Sequence, residues 1–169
     1  MKVLMVIAPT RFRDEEYSKP KEIFEKSGIE VVTASTTTVE CSGMLGARVK
    51  PNILIKDAKE QDFSVIIIVG GSGSSMLFNE RSLLELIRKF NDSKKIIGAI
   101  CLACIVLIKA GIMKGKKMTG WSPDTKVEAQ KAGVTYIGEE IIEDNNIITG
   151  IGPSAAVKFG QTIVKKLRG

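Results

Sequence analysis

Histidine is absent from all 169 residues. That absence removes Ser-His-Asp and Cys-His catalysis, and with them every zinc site built on an imidazole. Aromatic residues are scarce, at 5%, and Trp121 is the one tryptophan. The three cysteines are an odd number, which argues for a reducing compartment rather than a disulfide framework. The apolar start, Met1 to Ala8, is far too short to span a membrane. It has no cleavage region, and Arg11 and Arg13 follow at once, so no membrane association and a cytoplasmic location are expected. The net charge is +6, yet the lysines are scattered, with small clusters only at 114–117 and 165–168. Without an aromatic-rich basic stripe, this pattern argues for a solvated surface and against a nucleic-acid partner.

What is present reads as one ordinary globular domain over residues 1–169, with 44% hydrophobic and 26% charged residues. Lys2–Ala8, Gly28–Ala34, Phe63–Val69 and Lys95–Ile100 are runs of strand length, apolar on both faces, as in a parallel sheet covered by helices. Helices are expected over Asp14–Lys26, Glu80–Phe90, Leu102–Ala110, from Ser122-Pro123 to Gly133, and over Pro153–Leu167. Pro20 implies that the first helix starts near Ser18 or kinks. In the second, Leu83, Leu84, Ile87 and Phe90 fall on one stripe. In the last, Ala156, Gly160, Ile163, Val164 and Leu167 face inward. Residues 35–55 read as a small hairpin excursion, and Val134–Ile137, Glu140–Ile142 and Ile147–Thr149 as late short strands. The order is that of a doubly wound, flavodoxin-like α/β three-layer sandwich. In such folds the chemistry lies beyond the carboxyl ends of the strands.

Three loops leave those ends: 9–16, 70–75 and 101–104. The last holds Cys101, between the small apolar stretch Gly98-Ala99-Ile100 and an apolar helix. A nucleophile at such an elbow needs small neighbours, because the turn is tight. The helix end is expected to lower the thiol pKa, and its free amides can hold an oxyanion. The competing reading is a small buried core cysteine.

Lys2 to Ala8, then Phe12-Arg13-Asp14-Glu15-Glu16, Ile68-Val69-Gly70-Gly71, Ala99-Ile100-Cys101 and Ile148-Thr149-Gly150-Ile151-Gly152-Pro153-Ser154-Ala155-Ala156 resemble, in that order, the DJ-1/PfpI superfamily. The resemblance implies that Cys101 is the reactive nucleophile and that Glu16 is the acidic residue bonded to its sulfur. It also implies that Gly71 and Leu102 present backbone amides to a substrate oxygen or an oxidised sulfur. Near a thiolate, a buried Glu16 should keep its proton. The competing reading is a helix N-terminal carboxylate, with Glu15 or Asp14 in its role if the register is off. The resemblance implies action on small reactive carbonyls, glyoxalase- or deglycase-like, or in stress protection, with an intracellular cysteine peptidase or a non-enzymatic redox sensor or chaperone as alternatives, without a cofactor or metal, and as a homodimer or larger oligomer.

Several positions depart from the family pattern. Leu102 stands where protease members carry histidine, Trp121 lies near the place of another family histidine, and Ile151 replaces an arginine. Cys-His peptide hydrolysis is thereby put in doubt. Addition to glyoxal-type aldehydes, or peroxide sensing at the sulfur, needs only a thiolate and a carboxylic acid. Cys104 replaces a common proline and makes a C-x-x-C spacing, so it is either a resolving thiol or a buried helical cysteine. Gly70, Gly71 and Ser72 open a Gly/Ser loop that reads as a flexible pocket wall, since it lacks the lysine of a phosphate-binding loop. Trp121 lines the pocket mouth or packs in the core, and Cys41 is structural or a surface thiol.

Overall fold

The computed structural model describes all 169 residues. In chain order the elements are β1 (Lys2–Val6), β2 (Thr10–Phe12), α1 (Asp14–Lys26), β3 (Glu30–Ser35), β4 (Cys41–Gly43), β5 (Arg48–Val49), β6 (Ile53–Leu54), β7 (Val65–Ile68), α2 (Arg81–Asp92), β8 (Ile96–Ile100), α3 (Cys104–Lys109), β9 (Lys117–Met118), α4 (Asp124–Lys131), β10 (Thr135–Tyr136), β11 (Ile141–Asp144), β12 (Ile147–Gly150) and α5 (Ala156–Arg168). Seven strands form the central sheet, in the order β11-β12-β8-β7-β1-β3-β6. All its pairs are parallel except β11 with β12. No helix is long and apolar enough to cross a membrane.

The apolar runs form strands here because both faces of the sheet are covered. Side chains alternate along β1 and β7, so Val3, Met5, Val65 and Ile67 enter one core with Phe24 and Phe159 of α1 and α5. Leu4, Val6, Ile66 and Ile68 enter the other, with Leu83, Ile87 and Phe90 of α2 and with α3. Gly98 on β8 is small for a packing reason: a Cβ there would lie 2.9 Å from Cζ of Phe159. The ring of α5 thus rests directly on the backbone of the strand that carries the elbow.

Several local expectations need correction. Helix α1 runs unbroken from Asp14 although Pro20 lies inside it. Pro20 is buried against α5, where a Cβ at Gly160 would meet its Cα at 3.0 Å, so close packing outweighs the lost backbone donor. The stripe of α2 is Leu83, Leu86, Ile87 and Phe90, with Leu84 only half-buried. In α5, Phe159 is buried and Leu167 only partly so. The expected α-helices at Leu102 and Pro153 begin as 3-10 turns, Cys101–Ala103 and Pro153–Ala155, before α3 and α5. Pro123 is the residue flanking α4 and makes no side-chain cap.

The excursion is a hairpin of β4 and β5, as expected, and β2 joins it as a third, unforeseen strand. Asp14 ties it to α1, accepting hydrogen bonds from the amides of Leu45 at 2.8 Å and Ala47 at 2.7 Å. The segment at Val134–Ile137 does not join the main sheet but pairs as β10 with β9.

Candidate active site

Strand β8 ends at Ile100, and Cys101 follows with φ 62. A left-handed conformation at a non-glycine residue costs about 1–3 kcal/mol and persists only where the surroundings enforce it. The surroundings here are a buried strand on one side and a buried helix on the other. Cys101 is 7% exposed, at the floor of a cleft of about 310 Å³. Gly71, Ser72, Leu102, Trp121 and Met44 line that cleft, together with the charged residues Arg13 and Asp124.

Glu16 is in the first turn of α1 and is wholly buried. Neither carboxyl oxygen has a protein partner that meets hydrogen-bond geometry. The carboxyl lies against Cys101 across Gly70: a Cβ added to Gly70 would clash with the Glu16 carboxyl and lie 2.6 Å from Cβ of Cys101. A glycine at position 70 is what allows the two side chains to meet. The neighbouring carboxylates are engaged elsewhere. Glu15 is paired with Arg13, and Asp14 is taken up by the hairpin. The alternative of a solvated N-terminal carboxylate does not apply to Glu16.

Burial drives the Glu16 carboxyl up to about 8, opposed by its contact with Cys101 and by the charge of Arg13. At neutral pH it therefore holds its proton, as anticipated. The expected lowering of the thiol is overturned. Burial first, and then the negative charge of Glu16, push Cys101 up to about 12, while the amides of Gly71 and Leu102 pull it down. The helix-end effect exists through those two amides, but a short 3-10 turn in an apolar floor does not outweigh desolvation.

Gly71 has φ 105, and a Cβ there would lie 2.5 Å from the Arg11 carbonyl oxygen and 2.8 Å from the Phe12 carbonyl carbon. Arg13 donates its amide to the Gly70 carbonyl at 2.8 Å. The first loop and the Gly/Ser loop are thus locked together. The wall expected to be flexible is a packed 3-10 helix, Ser72–Leu77, with Ser74 Oγ donating to the Val69 carbonyl.

Trp121 is 48% exposed at the cleft mouth, its ring over Gly152 at 3.2 Å from a Cβ there. Cys104 is fully buried at the strand–helix turn, and its thiol donates to the Gly150 carbonyl at 3.7 Å. It belongs to the core on the opposite face from the one holding Cys101. Cys41 is buried too, not a surface thiol. No group of three cysteine or acidic side chains converges where a metal ion could be held. Sequence reasoning missed Arg13, Met44, Asp124 and Pro153 as lining residues, and Gly70, expected in the wall, is not among them because it sits beneath the cleft between Glu16 and Cys101. Arg13 sits inside the motif around Glu16 and was legible there; Met44 and Asp124 arrive through loop conformations that carry no local signal.

The model of the DJ-1/PfpI family matches residues 1–166. An uncharacterized protein of Methanocaldococcus jannaschii is 44% identical over 98% of this chain and 82% of its own length. The glutathione-independent glyoxalase DJR-1.2 of Caenorhabditis elegans is 29% identical over 98% of this chain and 88% of its own. A Bacillus subtilis relative, 30% identical over 99% of both chains, bears the name "Putative cysteine protease YraA". The crystal structure of a ThiJ/PfpI domain protein from Brachyspira murdochii superposes with a TM-score of 0.95 at 26% identity, covering 99% of this chain and 96% of that one.

Proposed function

The chain belongs to the DJ-1/PfpI family, and on that premise we propose that it is a cysteine-dependent enzyme converting small 1,2-dicarbonyls such as methylglyoxal to 2-hydroxy acids. One observation carries this reading: a buried, unpartnered Glu16 carboxyl lies against the Cys101 thiol under two backbone amides.

The pair carries one proton in its active form. Sulfur attacks the aldehyde carbon, a C–S bond forms, and the carbonyl π pair moves onto oxygen. The Gly71 and Leu102 amides stabilise that oxyanion, and the proton shared with Glu16 neutralises it. The Glu16 carboxylate then removes the proton on the former aldehyde carbon and returns it to the neighbouring carbon. The hydroxyl proton passes to the second oxygen. The product is a thioester of the 2-hydroxy acid, which water hydrolyses to release the thiol. Dicarbonyl and water give the acid, one carbon being oxidised as its neighbour is reduced, with no external redox partner. Peptide hydrolysis fits less well, because a leaving amine needs a proton from an imidazole-like acid and Glu16 is the sole candidate. In the proposed setting the protein works in a reducing, intracellular environment and assembles as a homo-oligomer.

The test is methylglyoxal consumption by wild type, Cys101→Ala and Glu16→Gln protein. The reading expects both variants to lose about 10²–10⁴-fold in kcat/KM. Undiminished turnover in Cys101→Ala would overturn it.

A further inference from the structure

Resting on the dicarbonyl reading, we infer that Arg13 is a catalytic residue of this site, binding the second oxygen of a neutral 1,2-dicarbonyl beside the carbon that Cys101 attacks. Three observations lead to this. First, Arg13 and Asp124 are the charged residues lining the Cys101 cleft, and Arg13 is the cationic one. Second, its guanidinium is held in place rather than waving in solvent. Nε donates to Glu15 at 2.8 Å and Nη2 at 3.1 Å, a fork-to-fork pair, and the side chain is 28% exposed. The backbone is fixed as well, through the Arg13 amide and the Gly70 carbonyl. Third, the fork with Glu15 leaves both N–H groups of Nη1 without a protein acceptor.

The chemistry calls for such a group. The two backbone amides serve the oxygen on the attacked carbon. When Glu16 removes the proton from that carbon, negative charge develops on the neighbouring oxygen. With no histidine in the chain, a side-chain cation in the cleft has to be lysine or arginine, and the lining contains only Arg13. A guanidinium stays charged at every working pH and donates in a plane, which suits a carbonyl becoming an enediolate. The charge balance also sets specificity. Glu15 neutralises the guanidinium and Asp124 adds a negative charge, so the cleft favours a neutral dicarbonyl over an anionic 2-oxo acid.

The experiment has two arms. In the first, Arg13→Met is compared with wild type for methylglyoxal turnover and for alkylation of Cys101 by neutral iodoacetamide. Losing a charge-assisted hydrogen bond should lower kcat/KM by about 10–100-fold. Alkylation should change by less than about threefold, and millimolar guanidinium should restore part of the turnover. Equal losses in both rates would reduce Arg13 to a thiol-tuning charge and overturn the inference, as would unchanged turnover. The second arm needs no reaction: calorimetric binding of hydroxyacetone to Cys101→Ser protein, with and without Arg13→Met. Binding weakened at least tenfold supports the site even if methylglyoxal is not turned over, a result that would sink the dicarbonyl activity alone. Equal binding overturns the role of Arg13 while leaving a Cys101-dependent activity intact.

Discussion

Replacing Glu16 by glutamine should make the protein more stable at pH 8.5 and leave stability almost unchanged at pH 4.5, apart from a constant offset. Glutamine keeps the shape of the buried side chain and removes its titration. The folded state holds the Glu16 proton up to about pH 8, whereas the unfolded chain releases it near the ordinary value of 4.5. Folding therefore binds a proton between these limits, and stability falls as pH rises through that window. At about 1.36 kcal/mol per unit, the shift from 4.5 to about 8 amounts to roughly 5 kcal/mol at most. This is a large fraction of the roughly 5–15 kcal/mol available to a domain. The assay is urea denaturation of both proteins at half-unit steps from pH 4.5 to 8.5, taking the difference between them at each pH. The difference cancels the titrating groups not coupled to Glu16, such as Glu60, whose carboxyl is held low by Lys95. It should grow with pH in favour of the variant and level off above about pH 8. A difference that stays flat would refute the claim that burial holds this carboxyl neutral.

Turnover of methylglyoxal should rise as pH passes through about 8, where the Cys101–Glu16 pair first loses a proton, and a pH-rate profile flat from 6 to 9 would contradict this. Gly71→Ala should destabilise by about 2 kcal/mol or more and abolish activity, because a Cβ would lie 2.8 Å from the Phe12 carbonyl carbon at φ 105. At Cys101, with φ 62, glycine should be at least as stable as alanine, reversing the usual order; thermal melts of the two variants check this. Lys95→Ala should cost about 1–3 kcal/mol in urea denaturation, since its ammonium donates to the carbonyls of Glu60 and Phe63 at 2.9 Å each.

The layers of the fold were legible because both faces of the sheet are buried. Runs such as Val65 to Ile68 have no polar alternation to mislead, and the helices between them leave one parallel arrangement. Cys101 stood out because a small apolar strand end precedes it, although the smallness of Gly98 turned out to serve Phe159 and not the turn. Glu16 lies buried against Cys101, in the place the family resemblance implied for it, and its raised pKa follows first from burial. The direction of the thiol shift was not legible. It depends on how dry the cleft floor is, and on a 3-10 turn standing where a full helix was expected. Cys104 lies fully buried, packed in the core beside α2 and with its thiol on the Gly150 carbonyl, and its C-x-x-C spacing alone could not show that environment. The position of Met44 depends on Asp14 capturing two hairpin amides, a long-range contact that no local pattern announces.

The protonation of Glu16 itself is the most direct test, read by infrared difference spectroscopy of wild type minus Glu16→Gln across pH. A protonated-carboxyl band present at pH 7 and vanishing as pH rises through about 8 is the expected result. An ionised carboxylate already at pH 6 would contradict the pairing on which the proposed chemistry rests.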